Sequence, residues 1–207
     1  GRGVIAHFDT ESYGRHIWFA RMGDGSLGGK ARGLAFLNSM VYKHKLADKY
    51  ENVKISIPRT VVIATDYFDQ FILENDLQYV IDAEVSDEEI LSEFVAARLP
   101  EKLVEQLRVY VNTARSPFAV RSSSKLEDSS YQPFAGVYST YMVPLVENRD
   151  QMLRMLGKAI KSVYASVFYS GSRTYIQTTG NLLSEEKMAV VVQSICGTEH
   201  DGLYYPM

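Results

Sequence analysis

The 207-residue sequence has a single cysteine, Cys196, and no apolar run near the roughly 18 to 20 residues needed to cross a bilayer. One cysteine excludes an internal disulfide and fits a reducing compartment. A basic excess is also missing. The net charge is −3, so no sequence-wide field favours DNA or RNA. The first residues lack the basic-then-apolar pattern of a secretory signal. These absences point to a cytoplasmic protein with no nucleic-acid partner and no membrane partner. Internal repeats and low-complexity tracts are absent too. What remains is an ordinary globular composition, 46% hydrophobic and 23% charged, enough for one large domain or two small lobes. The chain opens on Gly1-Arg2-Gly3 and stops in the strand-like Tyr204-Tyr205-Pro206-Met207, which reads as an excised piece.

Along the chain, residues 1–22 read as a leader or linker containing a short strand-like segment, 16–20. A glycine-rich loop follows at 23–29, and a helix begins near Lys30 with Leu34, Leu37 and Val41 on one face. Residues 57–63 have a strand pattern, with Pro58 near the start. Thr65 is a candidate cap for a helix with Phe68, Phe71 and Ile72 on its apolar face. Ser86 and Glu89 form a capping box, and Leu103, Leu107 and Val111 mark a further amphipathic helix. After Pro117 comes a short buried strand, 118–120. A polar loop is predicted from Ser122 to Pro133, and its serines suggest a mobile segment. Residues 137–143 are strand-like. Met152, Leu156, Ile160, Val163 and Val167 predict a long helix, and 188–192 a strand buried on both faces. Helices followed by a strand-rich region imply an α+β or α/β fold of two lobes, 23–116 and 117–207, with α+β preferred.

Two segments could carry chemistry. Gly28-Gly29-Lys30 opens a helix, where backbone amides and a lysine can meet an anion. It is not a Walker A loop, since Asp24 replaces the first glycine and Ala31 the Ser or Thr. Taken alone, a tight turn with a surface lysine is the simpler account. Gly23, Gly25 and Gly28 also satisfy the dinucleotide pattern G-x-G-x-x-G, but the acidic residue that should close it, Asp48, precedes the next strand and is out of register. In the second segment, an apolar strand delivers Arg121 to serines, the pair Glu127-Asp128 and the small turn Ala135-Gly136. A guanidinium there suits a phosphate. A structural ion pair of Arg121 with Glu127 or Asp128 fits equally well.

The stretch AVRSSSKLEDSSYQPFAGVYSTY resembles the signature of the N-terminal domain of the phosphoenolpyruvate synthase and pyruvate phosphate dikinase family. GGKARGLAFL is similar to that family's opening, and ISIPRTVVIATDYFDQFI to its Pro-strand-helix segment. KSVYASVFYSGSRTYIQTTG resembles the long helix after the signature, and MAVVVQSIC the strand beyond it. The segments occur in family order. Two departures are Pro133 before Phe-Ala-Gly and Ile195-Cys196 in place of Met-Val.

The resemblance implies an ATP-grasp fold, incomplete at its C-terminus, holding ATP between two α+β lobes. By position, Lys30 and Arg121 would contact the phosphates, with Arg121 the catalytic residue. Gly136 and Thr140 would belong to the covering loop, and Gln193 with the backbone of 194–196 would lie along the adenine. The family's Mg²⁺ ligands lie downstream of this strand, so no metal ligand is expected in the chain. The implied parent is an ATP-dependent phosphotransferase with phospho-histidine and pyruvate-binding domains. None of His7, His16, His44 or His200 lies in a matching motif. A dikinase acting on a glucan or an antibiotic, or a nucleotide-sensing module, are alternatives. The piece alone is expected to bind ATP poorly, to be inactive, and to leave the 188–195 strand as an exposed edge.

Overall fold

Residues 61–63 and 190–192 are β-branched at every position, a composition that suits strands covered on both faces. Both become interior strands. The computed structural model describes residues 5–14, 16–46, 49, 52–53, 55–124, 139–178, 187–200 and 203–206. In chain order the elements are β1 (Ala6–His7), β2 (Phe19–Met22), α1 (Gly28–Lys43), β3 (Thr60–Ile63), α2 (Thr65–Glu74), α3 (Gln78–Asp82), α4 (Asp87–Ala96) and α5 (Glu101–Asn112). Then follow β4 (Phe118–Ser124), β5 (Thr140–Val143), α6 (Arg149–Ser166), α7 (Ser170–Thr178), β6 (Met188–Ser194), β7 (Gly197–His200) and β8 (Leu203–Pro206). The fold is mixed α+β.

Six strands form one sheet in the order β1-β2-β3-β6-β4-β5, and β7 pairs with β8 separately. β1 to β3 are parallel, whereas β6 runs antiparallel to β3 on one side and to β4 on the other. This corrects the expectation that the 188–195 strand is left as an edge: the early strand β3 covers it. Strands from both sides of residue 117 share the sheet, and the stretch 1–22 supplies β1 and β2.

The two faces are covered unequally. One carries the large core, where Phe71, Phe94, Leu103, Leu107, Met152 and Tyr164 from α2, α4, α5 and α6 pack on Val61, Val120, Val190 and Val192. The other carries α1 over a small cluster of Phe19, Val62, Ala189 and Val191. Among the described residues, this second face carries no further hydrophobic cluster beyond that under α1, and Met142 on β5 is 60% exposed there.

The expected cap at Ser86 holds: it accepts from Glu89 N at 3.2 Å at the start of α4. Asn148, which the sequence pattern did not single out, caps α6 by accepting from Gln151 N at 3.0 Å. Replacing either with alanine should cost about 1 kcal/mol in urea unfolding. Other expectations need correction. The buried face of α1 holds Ala31 and Asn38 with Leu34 half-buried, so Leu37 points outward at 51% exposure. Thr65 is not the cap of α2. Ala64 precedes the helix, and the Thr65 hydroxyl accepts from Ser26 N instead. Ser122, Ser123 and Ser124 are not loop but buried residues of β4, because the β6 ladder satisfies their backbone.

Burial also shapes the alkaline limit. It pushes Tyr13, Tyr67 and Tyr169 up to about 12, and raises Tyr110 and Tyr164 as well. The folded state therefore keeps phenol protons that the unfolded chain releases above pH of about 10. This contribution is complete below that pH and is lost as pH rises through the folded values. Thermal melting should be insensitive to tyrosine ionisation up to about pH 10, then fall steeply together with the rise of tyrosinate absorbance.

Candidate functional site

β2 ends at Met22, and the chain turns through residues 23–27 into α1. Gly28 has φ of +69°, and a Cβ there would lie 2.0 Å from the carbonyl oxygen of Ser123. No larger residue lets α1 approach β4 so closely. The contact is fastened by the Ser123 hydroxyl, which donates to Leu27 O at 2.8 Å and accepts from Ala31 N at 3.0 Å. Ser26 Oγ accepts from Gly28 N at 3.3 Å. The first turn of α1 is thus bonded largely to the protein itself. One residue along β4, Ser122 O accepts from Lys30 Nζ at 2.7 Å. The ammonium of Lys30 is thereby held beside Arg121.

Strand register places the other expected residues. Arg121 is opposite Thr140 on β5 and Val191 on β6, while Gln193 is opposite Ala119 on β4 and Thr60 on β3. Val191 packs under α1, so Arg121, Thr140, Gln193 and Thr60 share the sparsely covered face. Thr140 is exposed and Arg121 is half-buried. The Arg121 guanidinium makes no hydrogen bond or ion pair among the described residues. Gln193 is buried and donates from Nε2 to Thr60 Oγ1 at 3.1 Å. The amides of Ser194 and Ile195 donate to Arg59 O at 2.9 Å and Pro117 O at 3.0 Å, so this backbone is tied to the starts of β3 and β4.

Gly136 lies outside the described residues, as do Glu127 and Asp128 and most of the expected serine loop. The structure therefore brings Lys30, Arg121 and Thr140 together at one end of the face, with Gln193 further along it. Sequence reasoning missed Ser123 and Thr60. Nothing in their local spacing marks them, since their partners are 92 and 133 residues away.

Among the described residues, no three His, Cys, Asp or Glu side chains gather as a metal site, and no helix is long and apolar enough to cross a membrane.

A mixed six-stranded sheet, heavily covered on one face and carrying a Gly-Gly-Lys helix and a strand-borne arginine on the other, is an ATP-grasp-like α+β architecture. Residues 24–206 match the pyruvate phosphate dikinase AMP/ATP-binding domain, and the chain belongs to that family. Over 151 residues it is 28% identical to the "uncharacterized phosphotransferase YvkC" of Bacillus subtilis (strain 168). That match covers 73% of this chain and 17% of the relative's length.

Proposed function

We propose that the sparsely covered sheet face binds the phosphates of ATP, with Lys30 and Arg121 as its cationic ligands. The observation that carries this is Arg121: a half-buried guanidinium with no polar partner among the described residues, next to a lysine already positioned by the Ser122 carbonyl. Removing an arginine from full solvation without a partner is costly, and a bound phosphate offers it a matching set of acceptors. The Thr140 hydroxyl stands across from Arg121, where it can bond a phosphate oxygen. Gln193, oriented by Thr60, lines the far end, where the base would lie. Membership of an AMP/ATP-binding family supports this assignment.

The finer proposal rests on the family resemblance. A larger phosphotransferase passes a phosphoryl group from ATP to one of its own histidines, and from there to pyruvate. This chain supplies positioning and charge neutralisation in the first half. Mg²⁺ would assist by screening phosphate charge. Among the described residues of this chain, no three His, Cys, Asp or Glu side chains gather to hold it.

The test is to map ATP onto the chain by amide and side-chain NMR shifts. Millimolar ATP should perturb Lys30, Arg121, Thr140 and Gln193, and leave the α4 and α6 surfaces unchanged. Perturbation confined to another surface, or none at all, would reject the proposal.

A further inference from the structure

The loop from Gly23 to Leu27 sits between parallel strands β2 and β3 and opens α1, the setting and glycine content of a phosphate cradle. Its backbone is nevertheless bonded to the protein on both sides. Asp66 accepts from the amide of Asp24 at 2.9 Å with Oδ2, and from that of Gly25 at 3.0 Å with Oδ1. Thr65 Oγ1 accepts from Ser26 N at 2.9 Å, and Thr65 N returns a bond to Ser26 O at 2.9 Å. From the other side, Arg21 donates through Nε to Gly23 O at 2.9 Å and through Nη2 to Gly25 O at 2.5 Å. The fit is close: Gly23 has φ of +86°, and a Cβ on it would lie 2.5 Å from Asp66 Oδ1.

We infer that this loop is a brace and not a ligand cradle, and that Asp66 is a positioning residue for Lys30. Asp66 and Thr65 pin residues 24–26. Ser123 then pins Leu27 and Ala31, and Lys30 projects from the turn between these anchors. A carboxylate can occupy a backbone nest as a stand-in for a phosphate that later displaces it. Three features favour a fixed brace. Arg21 holds the carbonyls of the same loop, Thr65 makes a reciprocal pair with Ser26, and Asp66 lies in the first turn of α2, where the helix dipole favours its charge. The consequence for the nucleotide is that side chains at this end, not the 24–26 amides, contact phosphate. This rests on the assignment of Lys30 as a phosphate ligand.

The test compares the wild-type chain with Asp66→Ala and the milder Asp66→Asn. Three quantities are measured: amide hydrogen exchange over residues 23–31, acylation of Lys30 by an amine-reactive reagent under native conditions, and binding of inorganic triphosphate. Loss of two charge-assisted bonds should raise exchange at residues 24 and 25 about ten-fold or more in the alanine variant. Lys30 acylation should rise several-fold, triphosphate binding should weaken about as much as in Lys30→Ala, and Asp66→Asn should fall between. If the alanine variant does not fold, the asparagine variant carries the same comparison. Unchanged exchange and labelling would overturn the inference. Tighter triphosphate binding in Asp66→Ala would overturn it as well, because the amides would then be a cradle that Asp66 occupies. A wild-type chain that binds no triphosphate defeats the phosphate-site proposal instead, while exchange and Lys30 labelling still decide whether Asp66 is the brace.

Discussion

Arg121→Ala is expected to weaken ATP binding by roughly two to four orders of magnitude, with the fold retained. The size follows from losing a pair of charge-assisted hydrogen bonds, each about 1.5–3 kcal/mol, in a partly desolvated setting. Stability should change by less than about 1 kcal/mol, because Arg121 has no polar partner among the described residues for the substitution to strand. Arg121→Lys should not restore affinity, since a point charge on a flexible stem lacks the planar fork. Calorimetric titration of ATP, paired with urea unfolding of each variant, separates the two effects. Near-normal affinity in Arg121→Ala would return the residue to an ion pair with Glu127 or Asp128.

Gly28→Ala should do the opposite, harming the fold first and binding as a consequence. The backbone of Gly28 is left-handed, which costs a residue with a Cβ about 1–2 kcal/mol. The added carbon would also meet the Ser123 carbonyl at 2.0 Å, and that atom belongs to a central strand that cannot retreat. Overpacking of this kind adds about 1–3 kcal/mol, so a total loss of about 2–5 kcal/mol is expected in urea or thermal unfolding. If α1 moves away instead of unfolding, the bond from Lys30 to Ser122 O breaks and ATP affinity falls with it. A variant as stable as wild type, with unchanged affinity, would show that the close approach of α1 to β4 is not needed.

Features whose cause is local were legible in the sequence. The all-apolar run of β6, the four-residue spacing of Leu103, Leu107 and Val111, the long stripe of α6 and the Ser86 cap are each decided within a few residues, by side-chain periodicity and by the orphan amides of a helix start. Lys30 and Arg121 were legible as residue types in suggestive settings. What the sequence alone left undecided depended on partners far away in the chain. Ser122 to Ser124 look like a polar loop until β6 and α1 supply their hydrogen bonds, and the strand beginning at Met188 looks like an edge until β3 pairs with it. The outward turn of Leu37 follows from where α1 meets the sheet, and the hydroxyl of Thr65 is taken by a loop 39 residues earlier. For the proposed site the decisive separation in sequence is that between Lys30 and the Ser122 carbonyl beside Arg121, 92 residues. Only the antiparallel insertion of β6 between β3 and β4, with α1 laid across the result, brings the two cations to one face, because strand order is set by long-range pairing that no local pattern encodes.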